Sequence, residues 1–219
     1  MIGRLCATRV LLLVFVGLTG PRAAHARPQL AAPDARRIAS WEVVSYSLQA
    51  PDGGVRRGKA IGRIAAAPEA VLHAILEIGK YKSFLPAMKD SREIRRSAQR
   101  IWGVIETALP WPARDAWVYV ELSYRHKGAR TYEARWKMIN GTMKQYYGSA
   151  LVEPWGDGLE HSVLSFEILA EPKTAAPDSV LSRGTRRVAE VFVHRLRMRV
   201  AALGKYGRLP RDLSLRYRR

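Results

Sequence analysis

The chain has one cysteine, Cys6. That excludes an intramolecular disulfide and a cysteine-based zinc site. Common catalytic signatures are also missing. There is no G-x-S-x-G elbow and no phosphate-binding P-loop, and the five histidines show neither H-x-x-x-H nor H-E-x-x-H spacing. Spacing therefore assigns no metal ligand and no catalytic residue. No internal repeat is visible, which excludes a solenoid. Acid is scarce: 19 Asp and Glu face 37 Lys and Arg, for a formal net charge of +18. What is present is a globular balance of 47% hydrophobic and 26% charged residues, which rules out wholesale disorder. At 219 residues the chain suits one domain, or two small ones.

The apolar run Val10 to Leu18 falls short of the ~20 residues that span a bilayer comfortably. Arg4 and Arg9 precede it, Thr19-Gly20-Pro21 ends it, and Ala24-His25-Ala26 supplies a small-x-small site. This layout predicts a secretory signal over residues 1–26 and an exported chain, periplasmic or secreted. An uncleaved N-terminal anchor is the alternative. Cys6 lies ahead of the run, whereas a lipoprotein cysteine follows it, so lipidation is not expected. Cleavage after Ala26 removes three arginines and no acid, leaving a charge of +15.

Residues 27–40 read as a linker leading into a helical turn capped by Asp34. Trp41 to Gln49 is rich in β-branched and aromatic residues and reads as a strand. Pro51-Asp52-Gly53-Gly54 turns it into a second strand, Val55 to Ala66. Pro68-Glu69 opens a helix that runs to about Lys80. Strands follow at about 88–96, 101–109, 116–125, 131–139, 145–152 and 159–170. Asp178 starts a long helix to about Leu203, with Leu181, Gly184, Val188, Val191, Phe192 and Leu196 as its apolar stripe and Gly204 as its stop. A basic tail, 205–219, ends the chain. Meandering strands imply a curved antiparallel sheet, and a long helix can lie across its open face.

Three segments within this order resemble the START-like, or helix-grip, superfamily. Ala67-Pro68-Glu69-Ala70-Val71 is similar to the family's entry into the helix after the first hairpin. Tyr81, Phe84, Leu85 and Pro86 are similar to the loop that follows. Leu109-Pro110-Trp111-Pro112-Ala113-Arg114-Asp115 resembles the family's P-x-P-x-R-D segment. The likeness covers Trp41 to Leu203, within a predicted domain of 41–204. It implies an α+β helix-grip fold, in which a curved antiparallel sheet wraps a long C-terminal helix with a cavity between them. It also implies a hydrophobic ligand such as a lipid, sterol or isoprenoid. No cofactor is expected.

Alternation by two places Tyr132, Ala134, Trp136 and Met138 on one strand face and Glu133, Arg135 and Lys137 on the other. Tyr146, Gly148, Ala150 and Val152 form a second apolar face, and Leu164, Phe166 and Ile168 a third. Facing inward, they either line a cavity, in which Gly148 and Ala150 leave room, or fill a solid core. The candidate ligand contacts are Tyr132, Trp136, Met138, Tyr146 and Phe166, with Val188 and Phe192 from the helix. Arg195 and Arg199 fall on the same helix side as Leu181 and Val188. They either receive an anionic head group or snorkel to water. Trp111 lies between two prolines and either gates a pocket mouth, inserts at a membrane interface, or packs over the sheet edge. Arg114 and Asp115 read as a local ion pair fixing that loop and complete the candidate gate. Glu106, Glu121 and Glu167 lie on strands. Turned inward beside His161, one of them would act as an acid/base group.

Arg183 to Arg219 hold 12 basic and 2 acidic residues, so +10 of the charge lies on the last 37 residues. A patch of this kind attracts anionic surfaces. The expectation is a monomer that binds, and in one version transfers, a hydrophobic ligand. Its basic C-terminal region would dock on an anionic membrane, with no nucleic acid as partner. A cyclase or hydrolase using the same cavity is the enzymatic alternative, and an electrostatic binding module with a filled core is the third.

Overall fold

The computed structural model describes residues 31–49, 54–109, 114–156 and 160–205. The predicted signal, Trp111 and the basic tail beyond Lys205 lie outside these residues. In chain order the elements are α1 (Ala32–Ala39), β1 (Val43–Leu48), β2 (Arg57–Ile64), α2 (Pro68–Leu76), a 3-10 turn (Ile78–Ser83), β3 (Met88–Arg96), β4 (Arg100–Thr107), β5 (Ala116–His126), β6 (Tyr132–Gly141), β7 (Met143–Pro154), β8 (Ser162–Pro172) and α3 (Asp178–Lys205). The strands form one antiparallel sheet in the order β1-β2-β8-β7-β6-β5-β4-β3. β3 to β8 are thus a pure meander, and the N-terminal hairpin joins it by pairing β2 with β8. No helix of the described residues is long and apolar enough to cross a membrane.

The predicted alternation sorts the sheet into two faces. Leu164, Phe166 and Ile168 of β8, Ala150 and Val152 of β7, and Ala134 and Trp136 of β6 are buried in one core. The facing layer is α2, whose Leu72, Ile75 and Leu76 are almost wholly buried. Each such side chain contributes about 1.5–3 kcal/mol by leaving water. Pro68 sits in the first turn of α2, where its missing N–H costs nothing. The helix breaks at Glu77, one turn before the predicted Lys80, and continues as the 3-10 turn. The outer face of the sheet is a lattice of ion pairs, such as Arg125–Glu133–Arg135 and Lys59–Glu167.

Two predicted helix ends differ. α1 starts at Ala32, so Asp34 lies in its first turn rather than capping it; burial and the nearby Asp34 carboxylate together raise the pKa of the Tyr46 hydroxyl on β1 to about 12. Gly204 lies inside the last turn of α3, which runs on to Lys205.

The buried stripe of α3 is also rotated from the predicted one. It consists of Ser182, Thr185, Ala189, Phe192, Val193, Leu196, Val200 and Leu203, while Val188 is 46% exposed. The cause lies on β2. A Cβ at Gly58 would land on the Thr185 carbonyl, and one at Gly62 would come within 2.8 Å of Val193 and 2.9 Å of Arg197. Small residues at alternate positions of β2 form a track on which the α3 backbone rests. Ser182 Oγ accepts from the Arg56 amide at 2.9 Å, and Thr185 Oγ1 donates to the Arg56 carbonyl at 2.8 Å. Further along, the Arg197 guanidinium donates to the carbonyls of Arg63, Trp41 and Glu42. Burial lowers its pKa, as expected for a cation held by carbonyls without a carboxylate.

Candidate functional site

α3 lies over the β1-β2-β8 side of the sheet. Between α3, the 3-10 turn and the inner faces of β4 to β8 remains an apolar cavity of about 70 Å³. Trp136, Tyr146 and Phe166 line it from the sheet, and Val188 and Phe192 from α3. Sequence reasoning missed the other walls: Ile105 of β4, Val120 and Leu122 of β5, and Ile78 and Tyr81 of the 3-10 turn, with Leu85 and Met88 beyond it. The alternation Val118-x-Val120-x-Leu122 is the signal that would have pointed to β5.

An aromatic stack forms one wall. Trp136 stacks on Phe166 with ring centroids 5.1 Å apart, and Phe166 stacks on Phe192 at 4.0 Å. Phe192 also meets Tyr81 edge to face at 6.1 Å. Gly148 pairs directly with Trp136 across β6 and β7, and a Cβ there would collide with the indole. The room left by Gly148 is therefore taken up by Trp136 rather than by open cavity.

Three polar groups lie among these apolar walls. The Tyr81 hydroxyl donates to the Ile75 carbonyl at 2.5 Å, and burial pushes its pKa well up. The Trp136 indole N–H is buried without a partner. The third is the Tyr146 hydroxyl, whose pKa burial raises to about 12. An unpaired donor facing an apolar cavity is a place where a ligand oxygen gains a hydrogen bond that the empty protein lacks.

The remaining predicted contacts lie elsewhere. Tyr132 is buried at the far end of the strands and donates to Glu69 at 3.0 Å. Met138 is half-buried against the core without lining the cavity. Arg195 is exposed. Arg199 pairs with Glu77 at 3.2 Å, with its guanidinium 5.9 Å from the Phe84 ring, and is not among the lining residues. Arg114 is exposed, and Asp115 pairs not with its neighbour but with Lys89 of β3 at 2.5 Å. Asp115 thus ties the β4–β5 connection to the edge strand, and Lys89 holds its carboxyl below the usual range.

The strand glutamates face outward. Glu106 is 3.7 Å from Lys89, Glu121 accepts from the Trp102 indole at 3.2 Å, and Glu167 pairs with Lys59 at 2.8 Å. None of them faces the cavity. Among the described residues no group of three His, Asp or Glu is placed to hold a metal ion.

A comparison with protein-family models and with curated proteins finds no match. Solved structures do match. A fragment of a STAR-related lipid transfer protein from Xanthomonas axonopodis superposes with a TM-score of 0.64 at 12% identity, over 74% of this chain and 98% of that one. Human StAR-related lipid transfer protein 5 matches at 0.62 with 12% identity, over 78% and 92% of the two chains. Human STARD10 matches at 0.61 with 15% identity, over 85% of each. At such identities the likeness is one of architecture. The eight-stranded curved sheet and the long C-terminal helix give this chain the START-like helix-grip fold.

Proposed function

We propose that the protein binds a hydrophobic ligand carrying at least one oxygen acceptor, in the cavity between sheet and α3. The observation that carries this reading is an apolar cavity with a buried polar handle left unpaired, the Trp136 N–H, and a second polar group, the Tyr146 hydroxyl, on a lining residue. The solved structures of this fold include proteins described as lipid transfer proteins, which supports a lipid as the ligand class.

The space of about 70 Å³ is well below the ~300–1,000 Å³ of ordinary ligand sites. Uptake of a lipid therefore requires a wall to move. Val188, half out in solvent while touching the cavity, marks the place. Exposed Arg183, Arg186, Arg187 and Arg195 run along the outer side of α3 and continue the charge of the tail. They support docking on an anionic membrane, each contributing about 1 kcal/mol near such a surface. The predicted signal at residues 1–26 supports export as the setting.

Native mass spectrometry of the gently extracted protein, with uptake from a panel of fluorescent lipids, tests the reading. The expected result is one co-purifying amphiphile. Trp136→Phe should weaken oxygenated ligands about tenfold, the worth of one buried hydrogen bond, and leave hydrocarbons unaffected. No bound molecule and no uptake would overturn it. Docking is checked separately by co-sedimentation with anionic vesicles, which should fall with added salt and on truncation after Leu203.

A further inference from the structure

At the opposite end of the strands from the cavity, four side chains converge on the outer face. They are Trp41 ahead of β1, Arg63 near the end of β2, Trp155 after β7 and His161 before β8. The Arg63 guanidinium lies 4.4 Å from the Trp41 ring and 5.9 Å from the Trp155 ring. His161 meets the same Trp41 ring edge to face at 5.7 Å.

Two features separate this cluster from ordinary surface packing. The first is backbone conformation. Trp41 has φ 67°, in the left-handed region where glycine normally ends a helix such as α1. A glycine there would be unstrained, so the indole is kept against a conformational cost. The strained turn is pinned on both sides: the Trp41 amide donates to Ile38, and its carbonyl accepts from Arg197 at 2.9 Å. The second is unmet hydrogen bonding. Arg63 Nε and His161 Nδ1 are both buried without a partner. Among the described residues Arg63 also has no carboxylate, whereas Arg57, Arg125 and Arg135 on the same outer face are all paired with glutamates.

A guanidinium stacked on indole faces has only its edge left for hydrogen bonding, and that edge matches two oxygens of a phosphate or carboxylate. We propose that Arg63, oriented by Trp41 and Trp155 and flanked by His161, is a binding site for a phosphate-type oxyanion. The anion is carried on a soluble monoester or on a lipid head group. Trp41, 42% exposed, offers its free surface to whatever bears the anion. Arg197 is a positioning residue, since it holds the carbonyls of both Trp41 and Arg63. The site shares no residue with the cavity and does not depend on the ligand reading above.

The test follows the Arg63 Nε–H resonance in ¹⁵N spectra, together with tryptophan fluorescence. The probes are inorganic phosphate, glycerol phosphate, and phosphatidylcholine vesicles with and without phosphatidic acid. A saturable shift is expected, at least tenfold weaker in Arg63→Gln and unchanged in Arg92→Gln, an exposed arginine of β3. Arg63→Lys keeps the charge but not the planar edge and should fall between. Saturation with glycerol phosphate assigns a soluble ligand, and saturation only with phosphatidic acid vesicles assigns a head group. Either outcome supports the site. An unmoved Arg63 resonance in the wild-type protein with every probe overturns it, as do identical curves for wild type and Arg63→Gln.

Discussion

The two halves of α3 are held to the sheet by different means. From Ser182 to Ala189 its buried face is small and partly polar, fixed by hydrogen bonds to Arg56 and by backbone contact at Gly58. From Phe192 to Leu203 the buried face is large and apolar, and Arg197 adds its fork of carbonyl bonds. Burying a large aliphatic side chain is worth about 1.5–3 kcal/mol, against about 0.5–1.5 for a neutral hydrogen bond. The second half is therefore the anchor, and the first is the part that lifts at least cost. Val188, which touches the cavity, sits on the first half.

The sharpest way to break this contrast is Leu196→Ala. The side chain is fully buried in the anchor, so the loss should be about 2–5 kcal/mol. Denaturant unfolding measures it, and a loss below about 1 kcal/mol would mean the anchor lies elsewhere.

Gly58→Ala comes next. The new methyl meets the α3 backbone, which has no rotamer with which to yield, for a cost of about 1–3 kcal/mol. Hydrogen exchange should rise over residues 178–190 and stay low over 193–203. An equal rise in both would erase the distinction.

Glu69→Gln serves as the control away from α3. Burial alone would raise the Glu69 carboxyl, but hydrogen bonds from Arg130 and Tyr132 outweigh it and hold the pKa below 4.5. A pKa lowered in the folded state contributes stability above the unfolded value and loses it as pH falls through the folded one. The variant should be about 1–2 kcal/mol less stable at neutral pH. The gap from wild type should close below about pH 4. Exchange in both halves of α3 should stay unchanged.

The smallest effect is a gain. Gly184 lies within the first half with open space around it, so Gly184→Ala should stabilise by about 0.5–1 kcal/mol. Lipid uptake should slow, because a stiffer first half opens less often. Faster uptake would reverse the assignment of the moving part.

Much of this architecture is legible in residue order. β6, β7 and β8 carry an apolar residue at nearly every second position, and one buried face then fixes register and direction. The candidate cavity residues on those strands follow from the same alternation. The rotation of α3 does not. Leu181 and Val188 outrank Ser182 and Thr185 in hydrophobicity, yet the helix seats the polar pair because Gly58, more than a hundred residues earlier, lets backbone meet backbone there. The partner of Asp115 is hidden for a similar reason. Lys89 lies 26 residues away on a strand joined to β5 only through β4. Local spacing reports which residues share a face; it does not report what an element on the other side of the core requires of that face.

The length of α3 bears on how the molecule could sit on a surface. At 1.5 Å per residue the chain leaves the helix at Lys205 some 25 Å along the axis from Val188. A bilayer gripped only by the residues after Lys205 would meet the end of the molecule remote from the cavity. One that reaches Val188 as well must run along the helix, past Arg195 and Arg187. Loading from a membrane would then call for a molecule lying on its side, with α3 parallel to the lipid plane.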